Sequence, residues 1–296
     1  MNYYNEIKQK LIENEIYSKV KDYSKEKNRV VTYFEIGRLL NEAGSIYGEN
    51  IIGQYSEKLQ VEVGKKYNSR TLRRIRQYYV MFKDEKWSPL ATKLTWSHYT
   101  ELLPIKDENE IIYYINMCIS LNLSRNDLRS RIRNNEYERL PEETRNKLIN
   151  KEESGVEDLI KNPIIIKNNS NYEIISEKVL QKLILEDIES FMKELGNSFS
   201  FIGSEYKIKL GSTYNYIDLL LYNIEFNCYT VVELKITELK KEHIGQIEVY
   251  MNYIDNNLKK ASQDKTIGII ICRRNNRYII EYCSDDRIIA REYELS

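Results

Sequence analysis

Apolar residues recur at three- and four-residue spacing through the first half of the chain, and in the second half the period changes. Tyr33, Ile36, Leu39 and Leu40 share one face of a helix, as do Ile51, Tyr55, Leu59 and Val63. Gly64 is a helix stop, Lys65-Lys66-Tyr67-Asn68 a short turn, and Ser69 an N-cap. The helix after it places Leu72, Ile75, Tyr79 and Phe82 on one face. This pattern predicts a helix-turn-helix of helix 51–63, a short turn and helix 70–82. A second pair follows, with a seam of Ile111, Ile112, Ile115 and Ile119, then a helix capped by Ser124 that buries Leu128 and Ile132. Residues 1–140 contain only Pro89 and Pro104, so this half reads as all-α and helix-turn-helix or winged-helix-like.

In the second half, residues 176–195 predict one helix capped at Ser176, with Leu180, Ile184, Ile188, Phe191 and Leu195 inward and Gly196 at its end. Tyr206-Lys207-Ile208-Lys209-Leu210 then alternates as a strand does. Residues 216–222 and 229–236 are apolar runs with charges set inside them, and a helix follows. Residues 266–272 make another strand, and two more around 277–283 and 287–294 would close the sheet. The polar stretch between Pro141 and Pro163, with Ser154 and Gly155, predicts a boundary between a helical domain, 1–150, and an α/β domain, 151–296.

Composition narrows the class. The 296 residues are 42% hydrophobic and 30% charged, which suits a globular chain with a core. No apolar run approaches the ~18 residues of a membrane span. The first residues lack the basic-then-apolar pattern of a secretory leader, so a cytoplasmic location without membrane partners is expected. Four cysteines without C-x-x-C spacing and two histidines make a His/Cys zinc site a poor expectation. The zero net charge hides an asymmetry. Residues 1–150 hold 26 Lys+Arg against 21 Asp+Glu, and residues 151–296 hold 19 against 24.

The basic half concentrates its charge. Lys65, Lys66, Arg70, Arg73, Arg74 and Arg76 place six positive charges within twelve residues. Such a cluster on a helix-turn-helix suits phosphate contacts, whose affinity comes from released counterions. The competing reading is an ordinary solvated helix face. A second group, Arg125, Arg129, Arg131 and Arg133, is a weaker candidate of the same kind. His98, between Trp96 and Tyr99, is expected to be packed and hydrogen-bonded rather than a base.

The acidic half holds the chemistry. Asp, Glu and Lys are seldom buried unless paired or ligating. Glu233 and Lys235 are two apart in a strand and share a face. A hairpin through residues 223–227 would bring Asp218 across the ladder to Glu233. Two carboxylates suit Mg²⁺, with Mn²⁺ as its substitute, and the lysine would position the attacking water. A buried structural ion pair is the alternative.

The arrangement Asp218…Glu233-Leu234-Lys235 resembles the PD-(D/E)XK nuclease motif. The predicted order α-β-β-β-α-β is that superfamily's core, and Gln246 on the following helix matches a recurring companion residue. Residues Val231 to Ile236, His243-Ile244-Gly245-Gln246 and Ile217-Asp218-Leu219-Leu220 are similar to the bacterial YhcG-type nucleases. So are Glu35-Ile36-Gly37-Arg38, Leu72 to Tyr79 and Trp96-Ser97-His98-Tyr99 in the helical half, and the similarity runs from about residue 30 to the end. The resemblance implies a metal-dependent nuclease acting on DNA. Asp218, Glu233 and the Leu234 carbonyl would hold the metal, with Lys235 as catalytic lysine and Gln246 as accessory residue. It also implies an acid from the first helix, for which Glu186, Glu189 and Glu194 are available. Where relatives carry an Arg-Gln pair, this chain has Ser204-Glu205. A homodimer would pair two sites for double-strand cleavage. The alternative is a non-catalytic DNA-binding or partner-docking protein with a relic nuclease fold, tied to restriction, other defence systems or mobile elements.

Overall fold

Polar caps and inward-facing apolar stripes set the helices of the N-terminal part. In the computed structural model, residues 2–19, 25–48, 50–84, 87, 93–150, 152, 155–283 and 285–296 are described. They form two units, Met1–Asn135 and Glu136–Ser296. The first contains α1 (Tyr3–Lys19), α2 (Lys25–Tyr47), α3 (Ile51–Glu62), α4 (Ser69–Phe82), α5 (Trp96–Leu102), α6 (Glu108–Leu121) and α7 (Arg125–Arg133). Ile7, Leu11, Ile36, Leu40, Ile52, Leu59, Leu72 and Ile75 close its core. Its described residues include no strand, and so no β-hairpin wing.

Local chemistry shifts some boundaries. Asn68, not Ser69, caps α4, its Oδ1 accepting from the Thr71 amide at 3.0 Å. Residues 63–68 between α3 and α4 form a longer connection than the three- or four-residue turn of a helix-turn-helix. Ser124 caps α7 as expected, paired with Asp127 in a capping box. His98 is a structural residue. Its Nδ1 meets the Thr95 hydroxyl at 2.7 Å, and its Nε2 meets the Leu123 carbonyl at 3.0 Å.

The second unit runs α8 (Glu142–Asn150), α9 (Val156–Leu159), β1 (Ile164–Ile166), α10 (Glu177–Glu186), α11 (Ile188–Leu195), β2 (Phe199–Leu210), β3 (Thr213–Asn223), β4 (Cys228–Glu238), α12 (Lys241–Asn257), β5 (Ile267–Arg274), α13 (Arg277–Glu281) and β6 (Ile288–Leu295). The sheet order is β1-β6-β5-β4-β3-β2. The β2–β3 and β3–β4 pairs are antiparallel, while β4–β5, β5–β6 and β6–β1 are parallel. On one face Leu180, Leu183, Phe191 and Leu195 of α10 and α11 pack on Leu219, Leu221, Val232 and Leu234. On the other, Ile247, Met251 and Ile254 of α12 pack on Ile217, Leu220, Val231 and Ile270. The whole is α+β, a helical unit followed by a three-layer α/β unit that contains the αβββαβ core.

Three expectations change. The helix expected over 176–195 breaks at Asp187, which leaves helical geometry at φ −136° and caps α11 by accepting from the Ser190 amide at 3.1 Å. Residues 277–281 are helical, not a strand. Because β6 runs parallel to β5, the chain needs a crossover, and α13 lies in it. The polar stretch around 141–155 belongs to the second unit, which begins at Glu136. It is held there by buried pairs. The Glu136 carboxylate lies 3.5 Å from the Lys161 ammonium, and the Thr144 hydroxyl donates to Asp158 at 2.7 Å. Arg139 donates to the Pro163 carbonyl at 2.9 Å and to Glu194.

Candidate active site at a split in the sheet

The β3–β4 ladder pairs Asn223 with Cys228 and continues to Leu219 opposite Val232. The next pair would be Asp218 opposite Glu233, but there the strands part. Asp218 fills the gap with its side chain, its Oδ2 accepting from the Leu234 amide at 2.8 Å. In a strand, one residue's N–H and C=O point to the same edge, so the Leu234 carbonyl faces the same split. On the other side, the Gln181 side chain of α10 donates to the Asp218 carbonyl at 2.9 Å.

Glu233 is 2% exposed and Lys235 is 8% exposed, deep burial for charged groups. They share a face, as their two-residue spacing demands, and Lys235 Nζ donates to Glu233 Oε1 at 2.9 Å. The same oxygen accepts from Gln246 Nε2 at 2.7 Å, which also donates to the Tyr250 hydroxyl at 3.2 Å. Gln246 and Tyr250 are one turn apart on α12, so a single helix face braces the carboxylate. The other oxygen, Glu233 Oε2, is buried without a hydrogen-bond partner. An orphaned carboxylate oxygen is costly to bury. Burial, reinforced by the neighbouring Asp218 charge, pushes Glu233 up to about 7. Burial also raises Asp218, against the pull of the Leu234 amide and of Lys235. For Lys235, burial acts downward, but the bond to Glu233 together with the charges of Glu233, Glu177 and Asp218 outweighs it, so the ammonium is held charged.

None of the three acids that the sequence offered from the first helix is brought to Lys235. Glu186 bonds Ser170 at 3.0 Å, Glu189 pairs with Lys193 at 2.6 Å, and Glu194 is taken by Arg139. Instead Glu177, the first residue of α10, reaches to 3.6 Å from Lys235 Nζ. Its place directly after the N-cap Ser176, four residues before Gln181, is the signal that could have found it. Glu205 is a further acid beside the site. It falls between the Ser204–Leu219 and Tyr206–Ile217 pairs, in register with Asp218, with φ at 46°. Glu177 and Glu205 both add to the upward shift of Asp218. His243 is no base here, since its Nδ1 accepts from the Lys240 amide at 3.1 Å at the start of α12.

The basic cluster of the first unit is only partly available. Lys66 pairs with Glu15 of α1, and the guanidinium of the half-buried Arg76 lies beside Gly44 of α2. Lys65, Arg70 and Arg73 are exposed and Arg74 half-buried, none with a carboxylate within 4 Å among the described residues. Arg125 and Arg129 are both tied to Glu101.

The donor set fits a divalent cation of the Mg²⁺ type. It offers hard oxygens only, from Asp218, Glu233 and the Leu234 carbonyl, and Glu233 Oε2 is a buried acceptor with nothing to accept from. Among the described residues, no group of three His, Cys, Asp or Glu side chains is gathered closely enough to hold a metal. No described helix is long and apolar enough to cross a membrane.

Known proteins share this organisation. The family described as the YhcG PDDEXK nuclease domain matches residues 157–296, and the DUF1016 N-terminal domain matches residues 7–139. "Putative nuclease YhcG" of Escherichia coli (strain K12) is 22% identical over 89% of this chain and 82% of its own length. Two solved structures are more distantly alike. A repair endonuclease from Pyrococcus abyssi is 18% identical, with a TM-score of 0.30 over 42% of this chain and 49% of its own. An EndoMS–dsDNA complex is 17% identical, with a TM-score of 0.29 over 43% of this chain and 48% of its own. The chain thus spans about half the length of each of those two structures. By the two domain matches, which follow one another along nearly its whole length, the chain belongs to the YhcG-type PDDEXK nuclease family with a DUF1016 N-terminal domain.

Proposed function

We propose that this nuclease is a metal-dependent endonuclease that hydrolyses phosphodiester bonds in DNA at the split between β3 and β4. The observation that carries the reading is Glu233, a buried carboxylate with one oxygen braced by Lys235 and Gln246 and the other unpartnered, in register with Asp218 where the β3–β4 ladder parts. Asp218, Glu233 and the Leu234 carbonyl hold Mg²⁺, with Mn²⁺ as substitute. A divalent ion bound there supplies a lowered water pKa and charge neutralisation on the phosphate. Lys235 keeps its proton through its bond to Glu233, and its ammonium orients the attacking water and offsets charge developing on the scissile phosphate. Gln246 fixes the Glu233 rotamer, and Gln181 fixes the backbone of Asp218.

Lys65, Arg70, Arg73 and Arg74 of the helical unit hold DNA through phosphates. Pairing of two copies would supply two cuts, and protein partners from defence or mobile-element systems would direct the enzyme to its substrate. The test is cleavage of plasmid and branched DNA with Mg²⁺, Mn²⁺ or EDTA, beside Asp218→Asn and Lys235→Ala. Asp218→Asn keeps an acceptor for the Leu234 amide while removing the charge, so the fold is retained. Metal-dependent cutting lost in both variants is the expected result. Cutting that survives Asp218→Asn refutes the assignment, and salt-sensitive DNA binding without any cutting favours a relic nuclease that docks partners.

A further inference from the structure

The strand that carries Asp218 also carries an exposed aromatic stripe that the catalytic reading does not use. Tyr214 and Tyr216 of β3 are 55% and 53% exposed. They alternate with Ile217, which is buried in the core under α12. Across the hairpin, Tyr214 is paired with Lys209, and Tyr216 with Lys207. Both lysines are exposed and flank the buried Ile208, so all four side chains occupy the hairpin face turned away from that core. Lys207 Nζ lies 3.9 Å from the centre of the Tyr214 ring, and Lys209 Nζ lies 6.0 Å from it. Neither ammonium has a carboxylate within 4 Å among the described residues.

From this geometry we infer that the β2–β3 hairpin is a platform for single-stranded DNA, on which bases stack against Tyr214 and Tyr216 while Lys207 and Lys209 meet the phosphates. Every base has a π-face, so such a surface binds strands without reading sequence. The stripe ends two residues before Asp218, and each two-residue step along the strand covers about 6.8 Å. The platform thus ends at the edge of the split, while Glu233 is braced from α12 on the other side of the sheet. An intact duplex keeps its bases stacked on one another and offers the rings nothing. The substrate class implied, on the nuclease reading above, is DNA with a single-stranded stretch.

The test is equilibrium binding of the full chain to a fluorescent single-stranded oligonucleotide in EDTA, where no cutting occurs, beside the matching duplex. Wild type is expected to prefer the single strand. Tyr214→Ala and Tyr216→Ala are each expected to weaken it about tenfold, with little effect on the duplex. Tyr214→Phe and Tyr216→Phe keep the rings and should keep the affinity, which separates lost stacking from a damaged hairpin. Lys207→Gln should lower the salt dependence of single-strand binding. Unchanged affinity in the alanine variants, a preference for duplex, or equal loss in the phenylalanine variants overturns the platform. Cleavage data divide the two ideas. Tyrosine-dependent binding without metal-dependent cutting upholds the platform and rejects the nuclease, while cutting lost in Asp218→Asn with tyrosine-independent binding does the reverse.

Discussion

Gly37 makes the sharpest prediction about the helical unit. It lies in α2 where that helix passes against α4. A Cβ at Gly37 would lie 2.5 Å from the Ile75 carbonyl oxygen and 2.6 Å from the Tyr79 Cβ. The first is backbone and the second the root of a side chain, so neither can swing aside. To reach ordinary contact the two helices must part by about 1 Å, and the contacts of Ile36 and Leu40 with Leu72 and Ile75 loosen with them. Alanine in a helix is otherwise worth about 1 kcal/mol more than glycine. Overpacking of this kind costs about 1–3 kcal/mol and more where backbone blocks the way. The net expectation for Gly37→Ala is a loss of about 2 kcal/mol, a fall in melting temperature on the order of 6–10 °C for a unit of this size. Gly53 is the control, because a Cβ there meets nothing within 4 Å inside α3. Gly53→Ala should therefore stabilise by up to about 1 kcal/mol. Thermal and urea unfolding of the two variants beside wild type read both signs. A Gly37→Ala protein that melts at or above wild type would refute the close-approach argument.

Gln246→Ala should keep the fold and lower metal-dependent cleavage about 10- to 100-fold, because it removes the group that holds Glu233 rather than a ligand. Steady-state rates across a Mg²⁺ series, with circular dichroism as a check on folding, would measure it. Arg139→Met should destabilise the second unit by about 3 kcal/mol, since it leaves the largely buried Glu194 with the Lys161 ammonium 3.7 Å away and the Ile165 amide at 3.1 Å to compensate, and urea unfolding would test this. The same carboxylate sets an acid limit. Burial acts to raise Glu194, but Arg139 and Lys161 hold it below its ordinary value of 4.5. Its stabilising contribution is thus complete above about pH 4.5 and is lost as pH falls through the depressed folded value. Unfolding free energy measured from pH 6 to pH 3 should fall, and Glu194→Gln should flatten that fall; an equally steep decline in the variant would remove Glu194 from the account.

Much of this protein follows from short-range pattern. The 3.6-residue spacing of Tyr55, Leu59, Leu72 and Ile75 defines α3 and α4 before any contact is known, and Ser124 with Asp127 caps α7 within four residues of chain. Asp218, Glu233 and Lys235 stand out because charges inside apolar strand runs need a reason, and the two-residue step from Glu233 to Lys235 already places them on one face. What tertiary structure decided are the meetings between distant segments. Glu177 is an unremarkable first-turn acid until α10 packs over β4 and brings it to Lys235. Glu186, Glu189 and Glu194 look equally suitable along the chain and are each claimed by a partner elsewhere. The helical α13 and the start of the second unit at Glu136 likewise depend on the parallel crossover and on buried ion pairs. Periodicity is a property of neighbours in sequence, whereas a split ladder, a stranded carboxylate oxygen or a glycine at a helix crossing exists only once two elements share the same space.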